Sequence, residues 1–249
     1  MTLDGRGVIF GDDAVAYDRA RPAYPSIAIE HILSLTDVSS AIEVGAGTGK
    51  ATAGFARRGI AVTCVEPSPH MANVLRAKDL DGITVEITSF EEYSGPEHPV
   101  DLVYAAQAWH WVDRRTAYGH ARTMLRSAGI LALMWNVPQD QNAGFSDIYE
   151  QHAPEILSER DERIASRDST EWLDEMVSGG FTDVELFEHP WFVQMSGEEL
   201  CRLRSTYSDH MMLPATRRHR LLEALADSVE EAGGVVEVRY VTRVFSGRN

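Results

Sequence analysis

Between positions 43 and 49 the chain reads Glu-Val-Gly-Ala-Gly-Thr-Gly. Three alternate glycines after a short apolar run describe a strand that ends in a turn with almost no side chains. Glycine tolerates positive φ and lets a ligand approach the bare backbone. A helix beginning there offers unpaired N–H groups and favours negative charge. Three nucleotide patterns compete for this stretch. A P-loop needs GxxxxGK[ST]; Gly49-Lys50 is present, but Ala51 replaces the hydroxyl and Val44 stands where the first glycine belongs. A dinucleotide fingerprint needs GxGxxG; Gly45 and Gly47 fit, but Lys50 takes the third position. The remaining pattern is acidic-x-G-x-G-x-G, with a purely structural turn as the alternative. A second signal is Glu66, which ends the apolar run Ala61-Val-Thr-Cys-Val. It lies about 20 residues beyond the glycines, the offset at which a carboxylate takes two ribose hydroxyls; the alternative is a solvated surface acid. A third is Trp109-His110-Trp111. Aromatic faces attract cations and wall apolar pockets. The ordinary pKa of His110 suits it to take or orient a proton, and a structural histidine is the competing reading. The other histidines lack metal-ligand spacing, so no metal site is assigned.

The elements that must position these residues alternate in type. Strands are expected at 41–44, 61–65, 83–87, 100–106 and 130–136. Helices are expected at 50–58, 68–78 and 114–126, the second with Ser68 as N-cap and Pro69 at the first helical position. Alternation of this kind implies an α/β fold with a mostly parallel sheet, right-handed crossovers and helices on both faces. Ligands then bind outside the carboxyl ends of the strands. Beyond Pro138 the chain turns polar and helical through Gly180, including Ser-Glu-Arg-Asp-Glu-Arg-Ile-Ala-Ser-Arg-Asp at 158–168. Strand character returns at 181–193, helices at 198–209 and 216–232, and a last strand at 235–245. The expected division is cap helices at 1–40, a binding core at 41–137, a helical insertion or lid at 138–180, and C-terminal strands and helices at 181–249 that complete the sheet.

Composition narrows the class. The chain has 249 residues, with 23 Lys plus Arg against 38 Asp plus Glu, a net charge of -15 and 44% hydrophobic residues. That excludes a disordered chain and disfavours nucleic acid as a partner, because phosphates are repelled over most of the surface. Two distant cysteines, Cys64 and Cys201, make neither a disulfide framework nor a zinc knuckle. With no signal-like start and no apolar run of spanning length, a cytoplasmic protein off the membrane is expected, as monomer or homodimer.

Five segments carry a resemblance. They are Tyr17-Asp-Arg-Ala-Arg-Pro-Ala-Tyr-Pro25, AIEVGAGTGKAT, VEPSPHM, Ala105-Ala-Gln-Ala-Trp-His-Trp-Val-Asp113 and LALMWN. Together they resemble the class I S-adenosylmethionine (SAM)-dependent methyltransferases. The nearest likeness is to the type 11 small-molecule subgroup that includes trans-aconitate methyltransferase-like enzymes. The resemblance covers a little over half the chain, up to Asn136. It implies a Rossmann-like seven-stranded sheet, SAM as cofactor and S-adenosylhomocysteine (SAH) as product. By the same resemblance, Gly45, Ala46, Gly47 and Gly49 wrap the methionine part of SAM, and Glu43 holds its amino group directly or through water. Glu66 takes the ribose hydroxyls, with Pro67 and Met71 against the adenine. Ser89, Phe90 and Glu91 match the place of further adenine contacts, although several registers are open there. Ala105, Ala106 and Gln107 line the methionine. Tyr17 and Arg21 match a helix that closes over the cofactor, an arginine or tyrosine there binding the SAM carboxylate.

Methyl transfer from a sulfonium needs no metal, only an in-line acceptor held close in a dry site. Trp109, Trp111, Trp135, Asn136, Tyr24 and Tyr207 are expected to line the acceptor, and His110 to orient it or take its proton. The leading reading is methyl transfer to a small molecule. The alternatives are a non-catalytic SAM/SAH-binding regulator and a nicotinamide oxidoreductase. Protein or nucleic-acid methylation is disfavoured because the NPPY-type motif is absent after the fourth strand.

Overall fold

The structure is a computed structural model that describes residues 14–139, 143–157 and 169–249. The start of the expected cap region at 1–13, and the whole interleaved-charge run at 158–168, lie outside the described residues. A seven-stranded sheet has the order β3-β2-β1-β4-β5-β7-β6. Its strands are β1 (Ser40–Val44), β2 (Ala61–Val65), β3 (Ile83–Glu86), β4 (Val100–Ala106), β5 (Leu125–Pro138), β6 (Thr182–Met195) and β7 (Val236–Arg248). Only β7 runs antiparallel to its neighbours. The helices are α1 (Ala14–Ala20), α2 (Ser26–Ser34), α3 (Thr52–Ala56), α4 (Pro69–Arg76), α5 (Arg114–Met124), α6 (Ala143–His152), α7 (Ser169–Ser178), α8 (Gly197–Ser205), α9 (Ser208–Met211) and α10 (Ala215–Glu231). The expected α/β architecture, N-terminal helix included, is the one observed.

Both faces of the sheet are covered, which is why its central strands read as apolar runs rather than alternations. One face buries Ile42, Val103, Leu131 and Leu133. The other buries Ala41, Leu102, Tyr104 and Met134 under α2 and α3. A third apolar cluster joins α6, α8 and α10 to the far ends of β6 and β7 through Tyr149, Leu203, Leu225 and Tyr240. The C-terminal helices and the insertion thus share a core of their own above the sheet.

Several boundaries differ from expectation for physical reasons. The helix after the glycines begins at Thr52, not Lys50, because Gly49 still has a φ of +83° and cannot enter a right-handed helix. β5 starts early, at Leu125, across a register shift opposite β4. β6 runs through Pro190 to Met195; as an edge strand it has no outer partner to miss the proline's absent donor. The single helix expected at 198–209 is two, split at Thr206-Tyr207. At that break both residues meet Arg21. Ser68 caps α4 by accepting from the Met71 N–H, with Pro69 at its start.

Candidate functional site

Strand register places the candidates in one row. Val44 lies opposite Val65 and Ala105, and Ala106 opposite Met134. Gly45, Glu66, Gln107 and Trp135 therefore follow at one edge of the sheet, the carboxyl edge. Gly45 has a φ of +64°, and a Cβ there would meet the Ala108 Cβ at 2.5 Å. Its glycine is demanded twice, by conformation and by space. Gly47 also has positive φ, +57°, but a Cβ there would meet nothing within 4 Å. The loop is open on that side, a backbone cradle with room in front of it.

Glu66 faces this cradle. Its carboxylate accepts from the Gly47 N–H at 2.7 Å and from the Ser68 N–H at 2.8 Å. Only 6% of the residue is exposed. Burial raises its pKa, and the two backbone donors partly offset that. Each oxygen keeps a further lone pair for a hydroxyl donor.

Glu43 is placed differently. One oxygen accepts from both the Thr52 and Tyr104 hydroxyls, below the glycine loop. At 1% exposure, burial pushes its carboxyl up to about 7 against those two hydrogen bonds. The acid that the resemblance assigns to an amino group, directly or through water, is thus buried and held by Thr52 and Tyr104.

The N-terminal segment closes one side. The Arg21 guanidinium donates to the Thr206 hydroxyl and carbonyl, both at 2.9 Å, and lies 4.2 Å from the Tyr207 ring and 5.3 Å from that of Tyr17. Asp18 on α1 pairs with Lys78 at 2.7 Å and with Lys50 at 3.8 Å. Lys50, the residue that spoils the dinucleotide pattern, ties α1 to the glycine loop, and Lys78 ties it to the end of α4. Burial pushes the Asp18 carboxyl up, but Lys78, Thr48 and Lys50 together hold it below the ordinary range. Tyr24 is packed against the α2–α3 face, its phenol raised far above the usual value by burial, beside Tyr17 and Glu43.

Some expected residues lie elsewhere. Trp109 is fully buried and packs on Phe90 and Tyr118; it walls the core, not the crevice. Phe90 is 3% exposed in the same cluster, and Glu91 accepts from the Asp113 N–H, fastening the loop before α5. Apolar burial of both rings outcompetes a ligand-facing position for them. The 3-10 turn at Trp109–Trp111 buries its first ring and leaves His110 and Trp111 exposed, with ring centres 4.8 Å apart. Pro67 is exposed, Met71 and Ala105 are buried, and Ala46 lines the loop's packed side. Ser89 is half-buried and accepts from the Glu92 N–H. Trp135 stacks on Trp172 of α7 and meets Phe245 edge-on. Asn136 is 6% exposed and bound to Thr242 and Ala23. Gln107 holds a left-handed φ of +58°, a strained state typical of functional turns, and donates to the Asn136 carbonyl.

Sequence reasoning missed Tyr104, Thr52, Thr206, Arg204 and Tyr240. Arg204 is 4% exposed, with Tyr207 at 5.3 Å. Tyr240 is 2% exposed, and burial, with Tyr207 beside it, raises its phenol well above the usual value. Only the Tyr104 position, facing Glu43 across adjacent strands, was available from alternation. Among the described residues no cluster of His, Cys, Asp and Glu fits a metal ion, and no helix is long and apolar enough to cross a membrane.

A backbone cradle facing a carboxylate on the next strand, with cations and phenols folded over it, suits a polar nucleoside-bearing ligand. The comparisons agree in kind. A family model described as a methyltransferase domain matches residues 42–133. An uncharacterized methyltransferase of Mycobacterium tuberculosis is 32% identical over 214 residues, covering 86% of this chain and 82% of that protein. A trans-aconitate 2-methyltransferase of Enterobacter is 31% identical over 145 residues, 55% of each chain. A solved structure from Anaeromyxobacter dehalogenans, described as a type II methyltransferase, has a TM-score of 0.68 at 19% identity, covering 92% of this chain and 97% of that one. A phosphoethanolamine N-methyltransferase of Haemonchus contortus, solved with SAM, has a TM-score of 0.56 at 14% identity, covering 100% of this chain and 58% of that one.

Proposed function

The chain belongs to the class I SAM-dependent methyltransferases, and from that premise we propose that it methylates a small molecule in the crevice at the carboxyl edge of the sheet. The observation that carries this reading is the open Gly47 turn facing Glu66. When bound, SAM supplies a methyl whose C–S bond breaks as an acceptor lone pair forms the new bond, the sulfur keeping the electron pair.

The chain's residues hold, orient and dry the site. Gly45, Ala46, Gly47 and Gly49 bring bare backbone to the methionine part. Glu66 accepts the two ribose hydroxyls beside its bonds to Gly47 and Ser68. Pro67, Met71 and Ser89 border the adenine side. Tyr17 and Arg21 cover the carboxylate end, and Gln107 closes the end of β4. Trp111, Trp135, Tyr24, Tyr207 and Tyr240 wall the acceptor. His110, exposed beside Trp111, orients the acceptor at the mouth; buried phenols stay protonated at neutral pH and keep an O–H to donate.

Calorimetry with SAH should show binding, and labelled methyl from SAM should reach a member of a library of small acids, amines and phenols. The likeness to a trans-aconitate methyltransferase puts small acids first in that library. No SAH binding sinks the reading. Binding with no methyl uptake by any acceptor favours a non-catalytic SAM/SAH-binding regulator.

A further inference from the structure

The segment Arg21-Pro-Ala-Tyr-Pro25 has an unusual backbone problem. α1 stops at Ala20 and α2 starts at Ser26, while Pro22 and Pro25 fix φ and hold the residues before them extended. Ala23 is exposed and its carbonyl belongs to neither helix, so a protein partner for it comes from outside the segment. Asn136 supplies it, donating from Nδ2 at 3.3 Å.

An amide side chain can usually be turned either way. Here its direction is set by the groups on either side of it. The Trp191 Nε1–H can only donate, and it donates to the Thr242 hydroxyl at 2.8 Å. That hydroxyl keeps its own proton to give, and sends it to Asn136 Oδ1 at 2.6 Å; the flipped amide would set Oδ1 against the acceptor-only Ala23 carbonyl. With Oδ1 accepting, Nδ2 is left to face Ala23. Asn136 and Thr242 are directly opposite in the β5–β7 ladder, and Thr242 is fully buried, so water does not compete. The same Asn136 receives Gln107 on its main-chain carbonyl. One residue therefore gathers the edge strand β6, the β4 turn and the N-terminal segment.

We infer that Asn136 is a positioning residue, the last link of a one-way Trp191–Thr242–Asn136 hydrogen-bond chain that holds the Arg21–Pro25 segment down over the crevice. It acts through Ala23 and its neighbours Arg21 and Tyr24, one amide N–H and one Oδ1 lone pair being spent on the chain. The consequence for SAH affinity rests on the methyl-transfer reading; the clamp itself does not.

The test is amide hydrogen exchange of the peptide spanning residues 14–25, with and without SAH, in Thr242→Val and Thr242→Ser proteins. Valine keeps the shape and breaks the chain; serine keeps the hydroxyl. Losing the directed bond should speed exchange of that peptide about three- to tenfold in the free Val variant and weaken SAH by a similar factor, with Ser close to the parent in both. If Thr242→Val melts early, Trp191→Phe removes the first donor from the edge strand and should give the same exchange pattern. Unchanged exchange in these variants, or equal behaviour of Ser and Val, overturns the clamp. Were the parent protein not to bind SAH, the proposed function would fail, and exchange in the free protein would still decide the clamp.

Discussion

The two edges of the sheet treat carboxylates in opposite ways. At the amino edge, Asp101 opens β4 and accepts from the main-chain N–H and the hydroxyl of both Ser39 and Ser40, and from Arg126 at 2.6 Å. Burial works against it, but these donors hold its carboxyl well below the usual range. At the carboxyl edge, Glu43 and Glu66 are more deeply buried, have fewer donors and are raised. One edge satisfies its charge completely and ties β1, β4 and β5 together. The other keeps acids short of partners beside an open turn. An α/β sheet places stability at one end and binding at the other, and the donors around each acid tell which end is which.

The sharpest way to break this contrast is to remove Asp101. Asp101→Ala should cost about 4 kcal/mol in urea unfolding, from several charge-assisted bonds lost together, while SAH affinity stays near the parent's. Because the folded carboxyl is depressed, its contribution is complete above the ordinary value of 3.8 and fades as pH falls below it; the gap between variant and parent should close in acid. Equal loss of SAH affinity would erase the distinction between edges.

Glu43→Gln should do the reverse. Between 4.5 and about 7 the unfolded chain has lost a proton that folded Glu43 retains, so parental stability falls as pH rises through that window and levels off above it. The glutamine variant escapes this, and its advantage should grow from near zero at the acid end to on the order of 3 kcal/mol at pH 8. A constant offset across pH would show that Glu43 is not the titrating group.

Glu66→Ala should lower SAH affinity about 100-fold by calorimetry, the worth of two hydroxyl bonds to a carboxylate, with a smaller effect on melting than at Asp101. Gly47→Ala should cost roughly 1–2 kcal/mol of stability for its left-handed φ, and should weaken SAH further because the methyl fills the open side of the cradle. The smallest effect belongs to His110→Ala. With the ring exposed beside Trp111, turnover should change less than tenfold and its pH profile should keep its shape; a lost limb in that profile would restore His110 as a base.

The glycine turn, Glu66, the Ser68 cap and the strand order up to β5 were legible because local rules write them: positive φ selects glycine, and buried parallel strands select apolar runs. Trp109 and Phe90 show where that legibility stops. Their types suit a ligand wall as well as a core, and only packing decides between the two. The same holds for Glu43, whose neighbours Thr52 and Tyr104 sit 9 and 61 residues away, and for Asn136, whose direction is set by Trp191 and Thr242. By itself, then, the chain's order of residues determined which backbone bends and which strand carries the facing acid, since those depend on a few adjacent positions. The tertiary structure alone decided which polar groups are committed and which stay open, because a hydrogen bond's partner is chosen by register and burial across strands distant in sequence.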